Sequence, residues 1–264
     1  MTATDAPGAT APSISSRAHD VLTSEWTKLR SVRSTVWTLL IAAITAISGS
    51  LIMAAAAAGD GKQPLDPVAS IYFAWLEYPV LAAGVLGVLT FTSEFSTGQI
   101  RTTFTAVPRR RSVLSAKAAV VGATTLVLAT TLSFAAFFLS EAILSRHHRG
   151  VSLGHPGALR AVIAAGVCLC AVALLGVALG AIIRHTAGAV VALPTLIYLP
   201  LVLLSLPAPW GTRIGKFTTL MASYQLVSLH PQADLLSPIL SLLVLLAWPA
   251  AGLLLAAALI SKDT

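Results

Sequence analysis

Residues 159–183 read LRAVIAAGVCLCAVALLGVALGAII, with Arg160 as the one charged residue among them. A helix needs roughly 20 mainly apolar residues to cross about 30 Å of hydrocarbon, and this stretch meets that requirement. Five other stretches of the chain meet or approach it. The six predicted spans are 36–58, 70–92, 114–140, 159–183, 187–206 and 237–260.

The overall composition agrees with a bundle of membrane-spanning helices. Of the 264 residues, 56% are hydrophobic and 10% are charged, whereas a soluble domain carries about 25% charged residues. Ala, Leu and Val make up most of the hydrophobic count, which suits helices in lipid better than the alternating strands of a β-barrel. We therefore predict an all-α integral membrane protein with a disordered tail at 1–16 and a single transmembrane domain at 17–264. The tail has no signal-peptide pattern.

The distribution of basic residues predicts the orientation of the chain. An even number of spans places both termini on one side of the membrane, and the positive-inside rule selects that side. With cytoplasmic termini, 11 of the 17 Lys and Arg residues lie inside and 6 lie outside. The basic segment Arg-His-His-Arg at 146–149 then lies outside, against the rule. Because the basic residues cluster at span ends, anionic headgroups account for the net charge of +7, and no nucleic-acid partner is expected.

The residues before the first span have the pattern of a helix that lies in the membrane interface. Trp26 would sit at headgroup depth, and Lys28 and Arg30 would meet lipid phosphates. The alternative is a flank that only sets the topology. The apolar residues that recur at three- and four-residue spacing are Ala18, Val21, Leu22, Trp26, Leu29 and Val32.

A second short amphipathic segment follows the second span. It reads EFSTGQIRTTF at 94–104 and is followed by Val-Pro at 107–108 and by three arginines at 109–111. Pro108 ends the helix because a proline pushes the preceding residue out of the α region. Lys117, one or two turns into the third span, is expected to extend its amine toward the surface. A soluble partner could push on this segment, and the alternative is a connector that only sets the topology.

These two segments resemble those of the permease subunits of type-two ABC exporters. SEWTKLRSVRS at 24–34 is similar to the family's connecting helix. EFSTGQIR at 94–101 is similar to the coupling helix, which sits in a cleft of the ATP-binding subunit. Gly98 matches the family's glycine and Glu94 its acidic residue, although Gln-Ile follows the glycine here where Thr-Leu is common. By this resemblance, the residues that couple to the ATPase are Glu94, Phe95, Gly98, Gln99 and Arg101.

The resemblance implies a transport subunit with no catalytic site of its own. A transport path needs two membrane halves, so it implies a homodimer or a related second permease, together with an ATP-binding subunit. It implies short re-entrant helices within 207–236, for which an ordinary packed loop is the alternative. The substrate would be an amphipathic drug, a peptide or a lipid. The expected location is a bacterial plasma membrane, and the excess of Arg over Lys is typical of a GC-rich, actinobacterial-like genome.

The sequence contains no motif for ATP binding or catalysis. GTRIGK at 211–216 has one residue too few between its glycines for a P-loop and lacks the hydroxyl residue that should follow. We therefore expect no cofactor on this chain, with ATP bound by a partner. His147, His148 and His155 lie near Glu141, but their spacing fixes no ligand geometry, so we expect a solvated loop and no metal site.

A few residues within the spans allow more than one interpretation. Glu77 is either an interfacial carboxylate, which we favour, or a functional acid inside the membrane. A membrane-embedded enzyme acting on lipid or protein is the rival hypothesis, with Glu77 and the loop histidines as its only candidates. A scaffold that transports nothing is a third hypothesis. Gly176 and Gly180 form a small-xxx-small pair that packs against a helix of this chain or of a second copy. Cys168 and Cys170 point to different faces of a helix and cannot pair.

Overall fold

The part of the chain that the computed structural model describes is mostly helical. It comprises residues 23–24, 26–27, 33–59, 68, 71–72, 74–76, 78–96, 110–148, 150–204, 210–232 and 234–262. No strand occurs among these residues, which confirms the all-α prediction for them. The helices are α1 (Arg33–Gly59), α2 (Tyr78–Ser96), α3 (Arg110–Leu144), α4 (Ala158–Ile183), α5 (Thr186–Leu204), α6 (Trp210–Gly215), α7 (Thr219–Val227) and α8 (Pro238–Lys262).

Five of these helices, namely α1, α2, α3, α4 and α8, are long and apolar enough to cross a membrane. They overlap the first four predicted spans and the sixth. Helix α5 covers most of the fifth predicted span, 187–206, but its apolar stretch Thr186–Tyr198 is shorter than a full crossing. The described part of the fold thus contains five helices that could cross a membrane, and the sixth crossing stays a prediction.

The second predicted span, 70–92, is placed too early in the sequence. Helix α2 begins at Tyr78 and is preceded by a separate 3₁₀ turn, Ala74–Leu76. Proline suits the first turn of a helix, where its missing N–H costs nothing, and Pro79 occupies that turn of α2. The apolar residues upstream belong to a segment that packs by its side chains and does not continue the helix.

That upstream segment is anchored to the bundle by buried hydrogen bonds. The Trp75 indole N–H donates to Ser50 Oγ of α1 at 2.8 Å. The Tyr72 hydroxyl donates to the carbonyl oxygen of Ser133 in α3 at 3.1 Å, and Ser133 Oγ donates to the carbonyl oxygen of Val162 in α4 at 2.7 Å. Because unpaired polar groups are costly in an apolar interior, these bonds fix the segment across three helices.

Helix α4 is the centre of the bundle. In its most apolar 18-residue stretch, 72% of the residues are buried inside the chain. In the corresponding stretches of α1, α3 and α8, 22–28% of the residues are buried. Helices α2, α3 and α8 pack around it. The peripheral helices carry the exposed aliphatic side chains, as expected for surfaces that face lipid. The two cysteines lie on α4 and are free, in agreement with the prediction.

Gly176 and Gly180 of α4 pack against α2 of the same chain. A Cβ added to Gly176 would overlap the carbonyl oxygen of Gly84, and one added to Gly87 would overlap the carbonyl oxygen of Ala173. A Cβ on Gly180 would lie 3.0 Å from the carbonyl oxygen of Val88. The backbones of α2 and α4 therefore touch along a parallel seam. Of the two alternatives for the glycine pair, the intramolecular one is found.

Several polar contacts gather at one end of the bundle, which we name the basic end and define by Glu94, Arg111, Lys117, Arg184 and Ser261. Arg111 Nη2 donates to Ser261 Oγ at 3.1 Å, which places the start of α3 beside the end of α8. Ser140 in the last turns of α3 contacts Ser50 in the second half of α1, so these two helices run parallel. Helix α1 therefore begins, and α8 ends, at the basic end.

Candidate functional site

A buried ion pair connects the end of α2 to the start of α3. Lys117 Nζ lies 3.0 Å from Glu94 Oε1, and the two side chains are 4% and 5% exposed. Glu94 lies in the last turn of α2, and Lys117 lies two turns into α3. The expectation that Lys117 extends toward the surface is wrong, because its amine is buried and forms an ion pair with the Glu94 carboxylate.

Two aromatic rings in the last turns of α2 extend this contact to α4. The rings of Phe91 and Phe95 lie 5.7 Å apart between centroids. Lys117 Nζ lies 6.0 Å from the centroid of Phe91, and the guanidinium carbon of Arg184 lies 5.9 Å from the centroid of Phe95. Cations at such distances from an aromatic face are attracted by about 0.5–1 kcal/mol. The end of α2 is thus held by one cation from α3 and another from α4.

The position of Arg184 depends on the way α4 ends. Arg184 has a φ of 56°, in the left-handed region, and its N–H donates to the carbonyl oxygen of Gly180 at 3.0 Å. A left-handed residue closes a helix by satisfying a free carbonyl, and glycine usually fills that place. With arginine there, the same residue ends α4, turns the chain into α5 and supplies a cation to the basic end.

The described part of the predicted coupling segment consists of its first residues. Glu94 and Phe95 are brought together with Lys117, Phe91 and Arg184, three residues that the motif did not indicate. The sequence signal for Lys117 was a lysine within an apolar span, but its partner lies 23 positions away. The predicted site residues that fall outside the described residues are Gly98, Gln99, Arg101, Lys28, Arg30 and Glu77.

At the opposite end, the histidines do not gather around a metal site. Within the described ranges, no group of three or more His, Cys, Asp or Glu side chains could hold a metal ion. Glu141 Oε2 accepts a hydrogen bond from the backbone N–H of Val151 at 2.7 Å, and His147 Nδ1 lies 3.1 Å from the carbonyl oxygen of Ile143. Glu141 therefore closes the turn after α3.

Between α5 and α8, the chain forms two short helices, α6 and α7, followed by an ordered loop. Gln225 of α7 clamps this loop. Its Nε2 donates to the carbonyl oxygens of Gln232 and Leu236 at 2.9 and 3.0 Å, and its Oε1 accepts from Gln232 N at 3.0 Å. Arg160 Nη2 of α4 donates to the carbonyl oxygen of Ser228. Two short helices are present: α6 packs on α5, and α7 packs on α4 and α8. The re-entrant character of this pair stays a prediction.

Gln225→Ala is expected to destabilise the chain by about 1–3 kcal/mol, because the buried amide makes three hydrogen bonds that alanine cannot make. The measurement is the thermal unfolding midpoint of the purified chain in detergent. Gln232→Ala is the matched control, since its side chain is exposed and only its backbone takes part in the clamp. Equal midpoints for the two variants would show that the clamp contributes nothing.

At the basic end, the last turns of α2 are joined to two other helices. There, the exit of α2 toward residues 97–109 is joined to α3 by an ion pair and to α4 by a ring contact and a glycine seam. Among the described residues, the end of α2 therefore contacts both α3 and α4 directly. No protein-family model matches the sequence, and no curated protein matches it significantly.

Proposed function

We propose that this chain is the permease subunit of an ATP-binding-cassette exporter. In this proposal, it crosses the membrane six times with α5 as the fifth span, both termini face the cytoplasm, and the membrane is a bacterial plasma membrane. The chain itself is non-catalytic. An ATP-binding subunit contacts the basic end, and a second permease copy completes the path for an amphipathic drug, a peptide or a lipid.

The observation that supports this proposal most is the attachment of the end of α2. The predicted coupling segment continues directly from Glu94 and Phe95, and these residues are held by Lys117 and Arg184 from two other helices. A push on the segment would therefore move α2, α3 and α4 together, because a buried ion pair resists separation. A loop that only sets topology needs no such attachment.

The glycine seam supports the same mechanism. Helix α2 touches the backbone of the central helix at Gly84 and Gly87. Displacement of the end of α2 would therefore reach the middle of the bundle through rigid contacts. Energy would enter as a difference in nucleotide affinity between two conformations of the partner, since a ligand that binds both equally shifts neither.

The proposal is tested by co-purification after expression with the neighbouring genes. We expect an ATP-binding protein to purify with this chain in stoichiometric amount and to hydrolyse ATP. Arg101→Ala and Gly98→Val, both in the coupling segment, are expected to lower its recovery about tenfold or more. Arg213→Ala is the matched control, because Arg213 is an exposed arginine of α6 and should leave the recovery unchanged.

Three outcomes would contradict the proposal. If the chain purifies alone under several conditions, it has no ATPase partner, and a membrane-embedded enzyme becomes the better hypothesis. Equal loss of the partner in the Arg101 and Arg213 variants would mean that the coupling segment is not the contact. Hydrolysis that no candidate substrate changes would instead favour a scaffold that transports nothing.

A further inference from the structure

A groove of about 510 Å³ lies between Trp26 and one face of α3. Helix α3 contributes side chains spaced four residues apart, among them Ala119, Ala123 and Val127. Residues at this spacing form a ridge along the helix surface. The ridge is low at the two alanines because their side chains are short, and the Trp26 indole lines the groove beside them. These residues therefore form an open groove along α3.

The lining of the groove suits an apolar occupant. Its side chains are hydrocarbon apart from the Trp26 indole nitrogen and the hydroxyl of Thr124, which donates to the carbonyl oxygen of Val120 at 2.7 Å. That hydroxyl already has a partner, so a polar ligand would lose hydrogen bonds with water and gain none here. Val127 is 65% exposed within the chain, so an occupant can enter from the lipid.

The length of the groove corresponds to one lipid leaflet. From Ala119 to Leu128 the helix rises about 14 Å, which is close to half of the roughly 30 Å hydrocarbon thickness of a bilayer. A single acyl chain extends over the same depth. The groove lies in the half of α3 nearer the basic end, so its occupant would belong to the leaflet on that side.

The charge at the mouth of the groove favours an anionic headgroup. The ridge formed by Ala119 and Ala123 continues through Ser115 to Arg111, which is exposed and about 12 Å beyond Ala119 along the helix. This places Arg111 at headgroup depth, where a guanidinium binds phosphate through paired hydrogen bonds. Lys117 is engaged with Glu94, and that pair is electrically neutral.

We propose that this groove binds one acyl chain of an anionic phospholipid whose phosphate contacts Arg111. Trp26 then acts as a clamp on the chain. In this proposal, Trp26 lies against the lipid tail and not at the headgroup depth expected from the sequence. The inference requires only that the chain spans a membrane and is independent of the transport proposal.

Quenching of tryptophan fluorescence by brominated acyl chains tests the site with the full chain in vesicles. The vesicles contain phosphatidylcholine and a minor fraction of phosphatidylglycerol, with bromine on the chains of one lipid or the other. The quenching that is lost in the Trp26→Phe variant measures lipid in the groove. The quenching that is lost in the Trp37→Phe variant measures lipid at the ordinary surface of the chain. Trp37 is 62% exposed on α1 and is the matched control.

We expect brominated phosphatidylglycerol to be enriched about fivefold over phosphatidylcholine at Trp26, the ratio for one arginine near the membrane surface. We expect no enrichment of that size at Trp37. Arg111→Gln should reduce the enrichment at Trp26 to the level at Trp37. Equal quenching by the two lipids at Trp26 in the unmodified chain would overturn the proposal, whatever the variants do.

A filled groove provides the second test. Ala123→Phe is expected to lower the phosphatidylglycerol retained after purification in detergent about fivefold, measured by mass spectrometry. Leu254→Phe is the control, because Leu254 is 73% exposed on α8, and it should leave the retained phosphatidylglycerol unchanged. Cross-linking between two copies through Ala123→Cys would show that a second chain covers this face, and it would overturn the lipid assignment.

Discussion

Lys117→Met is expected to destabilise the chain by about 3–5 kcal/mol, which is the effect of removing one member of a buried ion pair. The variant would remove the ammonium group that lies beside Glu94 Oε1, at a position where the Glu94 side chain is 5% exposed. The measurement is the unfolding midpoint of the purified chain in detergent. Lys216→Met is the control, because Lys216 is a partly exposed lysine outside the basic end.

A double variant separates the structural role of the pair from its role in coupling. Glu94→Leu combined with Lys117→Met removes both charges, and such apolar replacements often restore or exceed the original stability. If the restored chain purifies with the ATP-binding subunit that we propose but no longer stimulates it, the charges themselves are needed for the proposed coupling. Equal midpoints for the Lys117 and Lys216 variants would contradict the buried pair altogether.

Gly87→Ala is expected to destabilise the chain by about 3 kcal/mol or more, because the added methyl group would overlap the carbonyl oxygen of Ala173. Backbone cannot move aside as a flexible side chain does, so α2 and α4 would have to separate along the seam. Gly59→Ala is the matched control, since a Cβ there meets nothing within 4 Å. Its midpoint should stay close to that of the unmodified chain.

The measurement for this pair is again the unfolding midpoint, together with the oligomeric state in detergent. If Gly87→Ala left the midpoint unchanged and only dissociated a dimer, the seam would be intermolecular. Gly176→Ala should behave like Gly87→Ala, because a Cβ on Gly176 would overlap the carbonyl oxygen of Gly84 on the same face. Loss of stability in both variants with an unchanged oligomer would support the intramolecular seam.

Hydropathy was sufficient to locate the long helices. The predicted spans 36–58, 159–183 and 237–260 correspond to Arg33–Gly59, Ala158–Ile183 and Pro238–Lys262. Every backbone group in hydrocarbon must be hydrogen-bonded within its own segment, so a sufficiently long apolar run leaves few alternatives to a helix. The prediction for 70–92 failed at its start because apolar residues that pack as an anchoring segment have the same hydropathy as a helix.

The contacts between helices followed only from the folded chain. Periodicity shows that a residue is apolar or small, but it does not show which helix lies opposite, and the partners are distant in sequence. Tyr72 and Ser133 are 61 positions apart, and Lys117 and Glu94 are 23 apart. The composition thus determined the helical, membrane-like character of the chain. The packing of α2 and α3 around α4 determined that Lys117 faces inward and that the glycines of α4 serve an internal seam, because burial depends on neighbours that only the tertiary fold supplies.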